Sequence, residues 1–213
     1  MEKIKSVVIE NFTILFYAVL LLGTSLFLLM LRMKITHSFF LLFLVWNLFL
    51  AWIPYGISSA LLYRKGLSKS VKILGFGAWL LFLPNAPYIV TDLVHLQRSE
   101  DVILWLDSMV IGSFAISGLY GYICSVMQIQ MFLQRHISEK RTSVIIFCTH
   151  FLCGFGIYLG RFLRFNSWDL LQNPINLFKS IIISITNPIA LITTIGSGVL
   201  LWVMFKGYKN AQS

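Results

Sequence analysis

The chain has 213 residues, of which 58% are hydrophobic and only 12% charged, and its formal net charge is +9. A water-soluble domain carries roughly 25% charged residues, so composition excludes an ordinary soluble fold. The cations lie in short stretches between apolar runs. They do not form a basic patch with interleaved aromatics, which sets nucleic acid aside as a partner and points to membrane lipids, whose anionic heads such cations meet.

Six apolar blocks follow one another, at about Phe12–Leu31, Phe39–Leu62, Val71–Leu96, Val102–Met127, Ser143–Phe165 and Ile181–Phe205. Each has the ~20 residues needed to cross a ~30 Å hydrocarbon core. A lone segment in lipid must satisfy its own backbone, and only a helix does so. Strand alternation is absent. The predicted fold is all-α, a polytopic membrane protein of six transmembrane helices, with residues 1–213 forming one integral membrane domain. The basic stretch Met1–Lys5 before the first block reads as the lead of a retained helix, because that block is too long for a signal sequence.

Of the 17 Lys and Arg residues, eleven fall on the side of the termini, counting Arg64, Lys65, Lys69, Lys72, Arg135, Lys140, Arg141, Lys206 and Lys209 with Lys3 and Lys5. Six, Arg32, Lys34, Arg98, Arg161, Arg164 and Lys179, fall on the other. The richer side is expected to be cytoplasmic, which places both termini inside the plasma membrane. Trp105 and Trp168 then anchor the outer interface and Trp202 the inner one.

Within the blocks, Ser113, Ser117 and Gly121, and likewise Gly156 and Gly160, recur every four residues and suit close helix packing. Cys124, Cys148 and Cys153 lie in apolar surroundings without metal spacing and read as small packing residues. His150, near mid-membrane, reads the same way. Prolines interrupt three blocks: Pro54, the pair Pro84 and Pro87, and Pro188 after Asn187. A proline lacks the amide donor and clashes with the preceding turn. Leu83–Tyr88, LPNAPY, is therefore expected to break its helix, with a new half-helix from about Ala86 capped by Asn85. Phe165–Lys179 is amphiphilic but too short to cross. It is expected to lie flat on the outer surface, with Trp168, Leu170, Leu171 and Phe178 in lipid.

The intramembrane polar residues concentrate in the outer half. An ionisable group there marks a functional site by default, since burying its charge is costly. Counting about 1.5 Å per residue from a turn near Ser99–Glu100 puts Asp92 and Asp107 at one depth. His95 shares a helix face with Asp92, and Arg161 shares one with Arg164. Asp92, His95 and Asp107 are the candidate catalytic residues. Asn85, Tyr88, Arg161, Arg164, Asn166, Trp168 and Asp169 are the candidate substrate-binding residues. Arg161 is expected to approach one of the two aspartates, because two unpaired carboxylates would repel.

Three readings fit this constellation: an Arg–Asp network that only pins helices, a membrane enzyme, and an ion- or proton-coupled transporter. In the enzyme, Asp92, Asp107 and His95 are acid/base groups, or ligands of a metal for which no specific third ligand is evident. The arginines hold the anionic group of an amphiphile at the outer leaflet. Interrupted segments in the third and sixth blocks, corresponding positions of two halves, favour the transporter. A non-catalytic scaffold is a further alternative. No cofactor is legible.

Two stretches carry a resemblance. Leu83–Leu96, LPNAPYIVTDLVHL, resembles the signature of a bacterial family of multi-pass membrane proteins known as domain of unknown function 1361. Gly160–Asp169, GRFLRFNSWD, resembles that family's second motif. The resemblance runs from the second block onward and implies a bacterial multi-pass membrane protein, with no activity attached.

Overall fold

The computed structural model describes residues 12–99 and 102–211. The segment Met1–Lys5 and the predicted turn at Glu100 lie outside the described residues. The long helices are α1 (Phe12–Thr36), α2 (Phe43–Tyr63), α3 (Lys69–Phe82), α5 (Leu104–Gln134), α6 (Glu139–Arg161) and α9 (Pro188–Ala211). Between α3 and α5 come the single turn α4 (Asn85–Tyr88) and a 3-10 helix over Ile89–Arg98. Between α6 and α9 come α7 (Asp169–Gln172) and α8 (Pro174–Ser184). Six spans are long and apolar enough to cross a membrane, the third of them the composite Lys69–Gln97. No strand occurs among the described residues.

The central helix is α5. At 31 residues it is about 46 Å long, longer than the apolar core it crosses. Both α1 and α2 pack along it, and α3 packs on α2. On its N-terminal portion rest α4 and the 3-10 helix, while α6 pairs closely with α9. Small residues set these approaches. A Cβ added at Gly121 would stand 3.3 Å from the Trp52 ring, and one at Gly118 only 2.7 Å from the Ala86 carbonyl oxygen. The α6–α9 contact closes in the same way, since a Cβ on Gly154 would lie 2.6 Å from the Thr194 carbonyl oxygen.

Several boundaries move from the expected ones. The first helix runs on to Thr36 and takes Arg32 with it. The second starts at Phe43, the fifth at Glu139, and the fifth ends at Arg161. The run Ile181–Phe205 is not one helix. Pro188 has no amide to donate, so α8 ends at Ser184 and α9 starts at Pro188, where the Asn187 side chain accepts from the Ile189 amide at 2.9 Å. The Phe165–Lys179 segment is partly helical. On α8, Phe178 is exposed along with Ile175, Ile182 and Ile183, a lipid-suited face, whereas Trp168 and Leu170 are half-buried. The side chain of Leu171 lies outside what is described.

Candidate functional site

The third span breaks at LPNAPY, as the two prolines require. Its repair differs from the expected one. Asn85 is not a cap; Pro84 stands at that position and α4 begins at Asn85 itself. The freed groups here are carbonyls, and a carbonyl needs a donor. The Asn85 amide therefore donates back to the Phe82 carbonyl at 2.8 Å and across to the Ser167 hydroxyl at 2.9 Å. Ser167 donates in turn to the Leu81 carbonyl at 3.1 Å. The broken backbone is thus completed by a residue 82 positions away.

Ser167 belongs to Gly160–Asp169, so the two motifs noted in the sequence are two sides of one contact. A Cβ on Gly156 would overlap the Pro84 ring, and one on Gly160 would sit 3.1 Å from the Tyr88 ring. The second motif holds its own shape. The Phe165 amide reaches back to the Leu159 carbonyl at 3.1 Å, with Arg164 in the left-handed conformation at φ 60°. This is the closing turn of a helix that normally uses glycine. Asp169 accepts from the Asn166 amide at 2.6 Å and fastens the next turn.

After Tyr88 the chain winds with three residues per turn, so residues three apart eclipse. Asp92 and His95 line one edge of this 3-10 helix. Asp92, 1% exposed, accepts from the Asn47 amide at 2.8 Å. Arg161 Nη1 lies 3.7 Å from Asp92 Oδ1, and His95 Nε2 lies 3.8 Å from the same oxygen. The His95 ring meets Phe43 edge-on, with centroids 4.9 Å apart.

Arg161 approaches Asp92, as expected of one of the two aspartates, and Asp107 takes another partner. Arg32 Nε donates to its Oδ1 at 2.8 Å and Arg32 Nη2 to its Oδ2 at 3.4 Å. Ser99 adds a hydroxyl at 2.6 Å, and Arg32 Nη1 ties the α1–α2 connection through the Ser38 carbonyl at 3.0 Å. Arg32 is 3% exposed and Asp107 fully buried. The expected common pocket for both aspartates therefore divides into two systems. Phe40 neighbours both, 6.0 Å from the Arg32 guanidinium and 6.1 Å from the His95 ring. Equal depth for the two aspartates requires an α-helical rise on both sides of the turn. The Asp92 side winds instead as a 3-10 helix, which rises about 2.0 Å per residue.

Above Asp92 opens a cleft of about 550 Å³ lined by Tyr88, Val94, His95, Gln97, Gly160, Arg161, Arg164 and Asn166. Five of the ten candidate site residues line it. Asp92 sits beneath, Asn85 and Asp169 hold the walls, Trp168 starts α7, and Asp107 belongs to the separate Arg32 system. Among the described residues no three His, Cys, Asp or Glu side chains gather as a metal-ligand set. Sequence reading missed Arg32, Asn47, Ser99 and Ser167. Asn47 carried a signal, a lone amide inside the run WNLFLAW. Arg32 carried none, because beside Lys34 it reads as a loop cation.

The chain belongs to the DUF1361 family, described as a protein of unknown function, whose sequence profile matches residues 46–204. That range contains both motifs, the cleft and Asn47, but not Arg32. No curated protein and no solved structure matches the chain.

Proposed function

We propose that this DUF1361 protein is a membrane-embedded enzyme that acts on an anionic or lipid-linked substrate at the outer leaflet of the plasma membrane, with both termini cytoplasmic. The reading is carried by one observation: the cleft gathers two guanidiniums and an imidazole over a buried carboxylate. Guanidiniums form strong paired hydrogen bonds to phosphate or carboxylate oxygens. Arg164 is exposed and, among the described residues, has no carboxylate partner, so its charge is available to a ligand. Holding a non-glycine residue at φ 60° costs on the order of 1 kcal/mol, a strain that a binding role explains.

In this reading His95 exchanges the proton and Asp92, positioned by Asn47, orients and stabilises the imidazolium. Their 3.8 Å separation is longer than a hydrogen bond and would tighten on substrate binding, as catalytic contacts often do. Asp107 is then assigned to pinning α1 on α5 rather than to chemistry.

The transporter reading is favoured by one further feature: deep in the bundle, at Ser117, Gln128 and His150, buried polar atoms have no partner among the described residues. A single comparison separates the two. Polar lipids of cells expressing wild type and His95→Gln protein are profiled by mass spectrometry, with leaflet distribution measured in parallel. The enzyme reading expects a headgroup species whose amount changes with the wild type and not with the variant. Unchanged lipid chemistry with an altered leaflet distribution supports transport. Binding of phosphatidic acid to purified protein that is no weaker in the Arg161→Gln, Arg164→Gly double variant would end the anion assignment.

A further inference from the structure

A second cavity opens at the opposite end of the bundle, and nothing in the proposed function uses it. It holds about 430 Å³ between the last turns of α5, the first turns of α6 and the last turns of α9. Three cations rim it: Lys140 from α6, and Lys206 and Lys209, one turn apart on α9. All three are exposed, and none has an ion pair among the described residues. Clustering three like charges around one hollow is unfavourable unless an anion comes between them. Among the described residues no acidic side chain lines the cavity.

The walls separate this hollow from an ordinary basic rim. Gln130 lines it and is 8% exposed, yet its amide makes no hydrogen bond to another described residue. Its amide opens into the cavity and is free to hydrogen-bond a ligand group held there. Phe147 and Trp202 form the apolar side, their rings meeting edge-to-face with centroids 5.9 Å apart. Phe147 is 43% exposed on a span long and apolar enough to cross a membrane. The first turn of α6 brings its positive end to the same place.

We infer that this cavity is a binding site for an anionic glycerophospholipid, with the headgroup phosphate among Lys140, Lys206 and Lys209, a headgroup polar atom on Gln130, and an acyl chain leaving along Phe147 and Trp202. Basic pockets between transmembrane helices are a recurrent means of holding such lipids. A free phosphate ion meets only part of this arrangement. It has no use for an aromatic wall open to the hydrocarbon region, and the commitment here is to the lipid.

The full-length protein in a mild zwitterionic detergent is offered 1-palmitoyl-2-oleoyl phosphatidylglycerol or the matching phosphatidylcholine, and retained lipid is counted by native mass spectrometry. Phosphatidylglycerol is expected to be retained at one tight site, at least about tenfold over phosphatidylcholine. Each lysine near a membrane surface contributes on the order of a fivefold preference, so the Lys140→Gln, Lys206→Gln, Lys209→Gln triple variant should bring the two lipids level. Glycerol 3-phosphate in excess should fail to displace the lipid. Gln130→Ala, which keeps all three charges, should weaken retention severalfold and provides a second reading if the triple variant does not fold. Equal retention of the two lipids by wild type, unchanged selectivity in both variants, or displacement by glycerol 3-phosphate would each overturn the assignment.

Discussion

Replacing Asp107 by Asn tests the Arg32–Asp107 pair most directly. The change leaves Arg32, 3% exposed, with a buried charge and no counter-ion. Breaking one side of a buried pair costs about 3–5 kcal/mol. For a chain of 150–250 residues, each kcal/mol corresponds to roughly 2–4 °C of melting temperature. Asp107→Asn should therefore melt roughly 6–20 °C below wild type, and Arg32→Gln similarly. The double change Arg32→Met with Asp107→Leu removes both charges and should recover most of the loss, leaving only the Ser99 hydroxyl and Ser38 carbonyl to find water. The assay is the monodisperse fraction surviving a heating series in detergent, read by size-exclusion chromatography. Arg161→Gln provides the contrast. Its 3.7 Å contact with Asp92 is longer than a hydrogen bond and its side chain is 22% exposed, so about 1 kcal/mol or less is at stake. Single changes at Arg32 and Asp107 that each shift melting by no more than Arg161→Gln would refute the pairing. So would a double variant whose loss is the sum of the singles.

Arg164→Gly should melt no lower than wild type, because glycine adopts φ near 60° freely, while binding of phosphatidic acid falls; the same purified sample reports both. Gly156→Ala drives a methyl into the Pro84 ring and should cost about 1–3 kcal/mol. Gly23→Ala, with nothing near its added Cβ, should be neutral or stabilising by up to about 1 kcal/mol in the same melting series. Asn85→Ala and Ser167→Ala should each destabilise by about 1–3 kcal/mol and be far from additive, since each bonds the other across the broken helix. Single cysteines at Ser68 and Asn173, both exposed and on opposite faces, should differ in intact cells, with only Asn173→Cys reacting with an impermeant thiol reagent. Labelling of Ser68→Cys alone would invert the proposed orientation.

Chain composition determined the membrane class, the number of spans and the place of the main break by itself. Those properties rest on runs of like residues and on the missing amide of proline, and neither depends on which helix lies beside which. The same local logic singled out Asp92, His95, Arg161 and Arg164, which the fold gathers at one cleft, because an ionisable group in an apolar run is conspicuous wherever its partners are. Pairing was another matter. Asp107 and Arg32 lie 75 residues apart, and Asn85 and Ser167 lie 82 apart. A buried carboxylate accepts from whichever donor the packing delivers, and the packing is decided by where Gly118, Gly121 and Gly156 let backbones close. The 3-10 winding after Tyr88 was not legible either, since Ile89–Arg98 contains no residue that forbids an ordinary α-helix. The expected single site is divided because Asp107 pairs with Arg32, sealed in the bundle, while Asp92 meets Asn47, Arg161 and His95 beneath an open cleft.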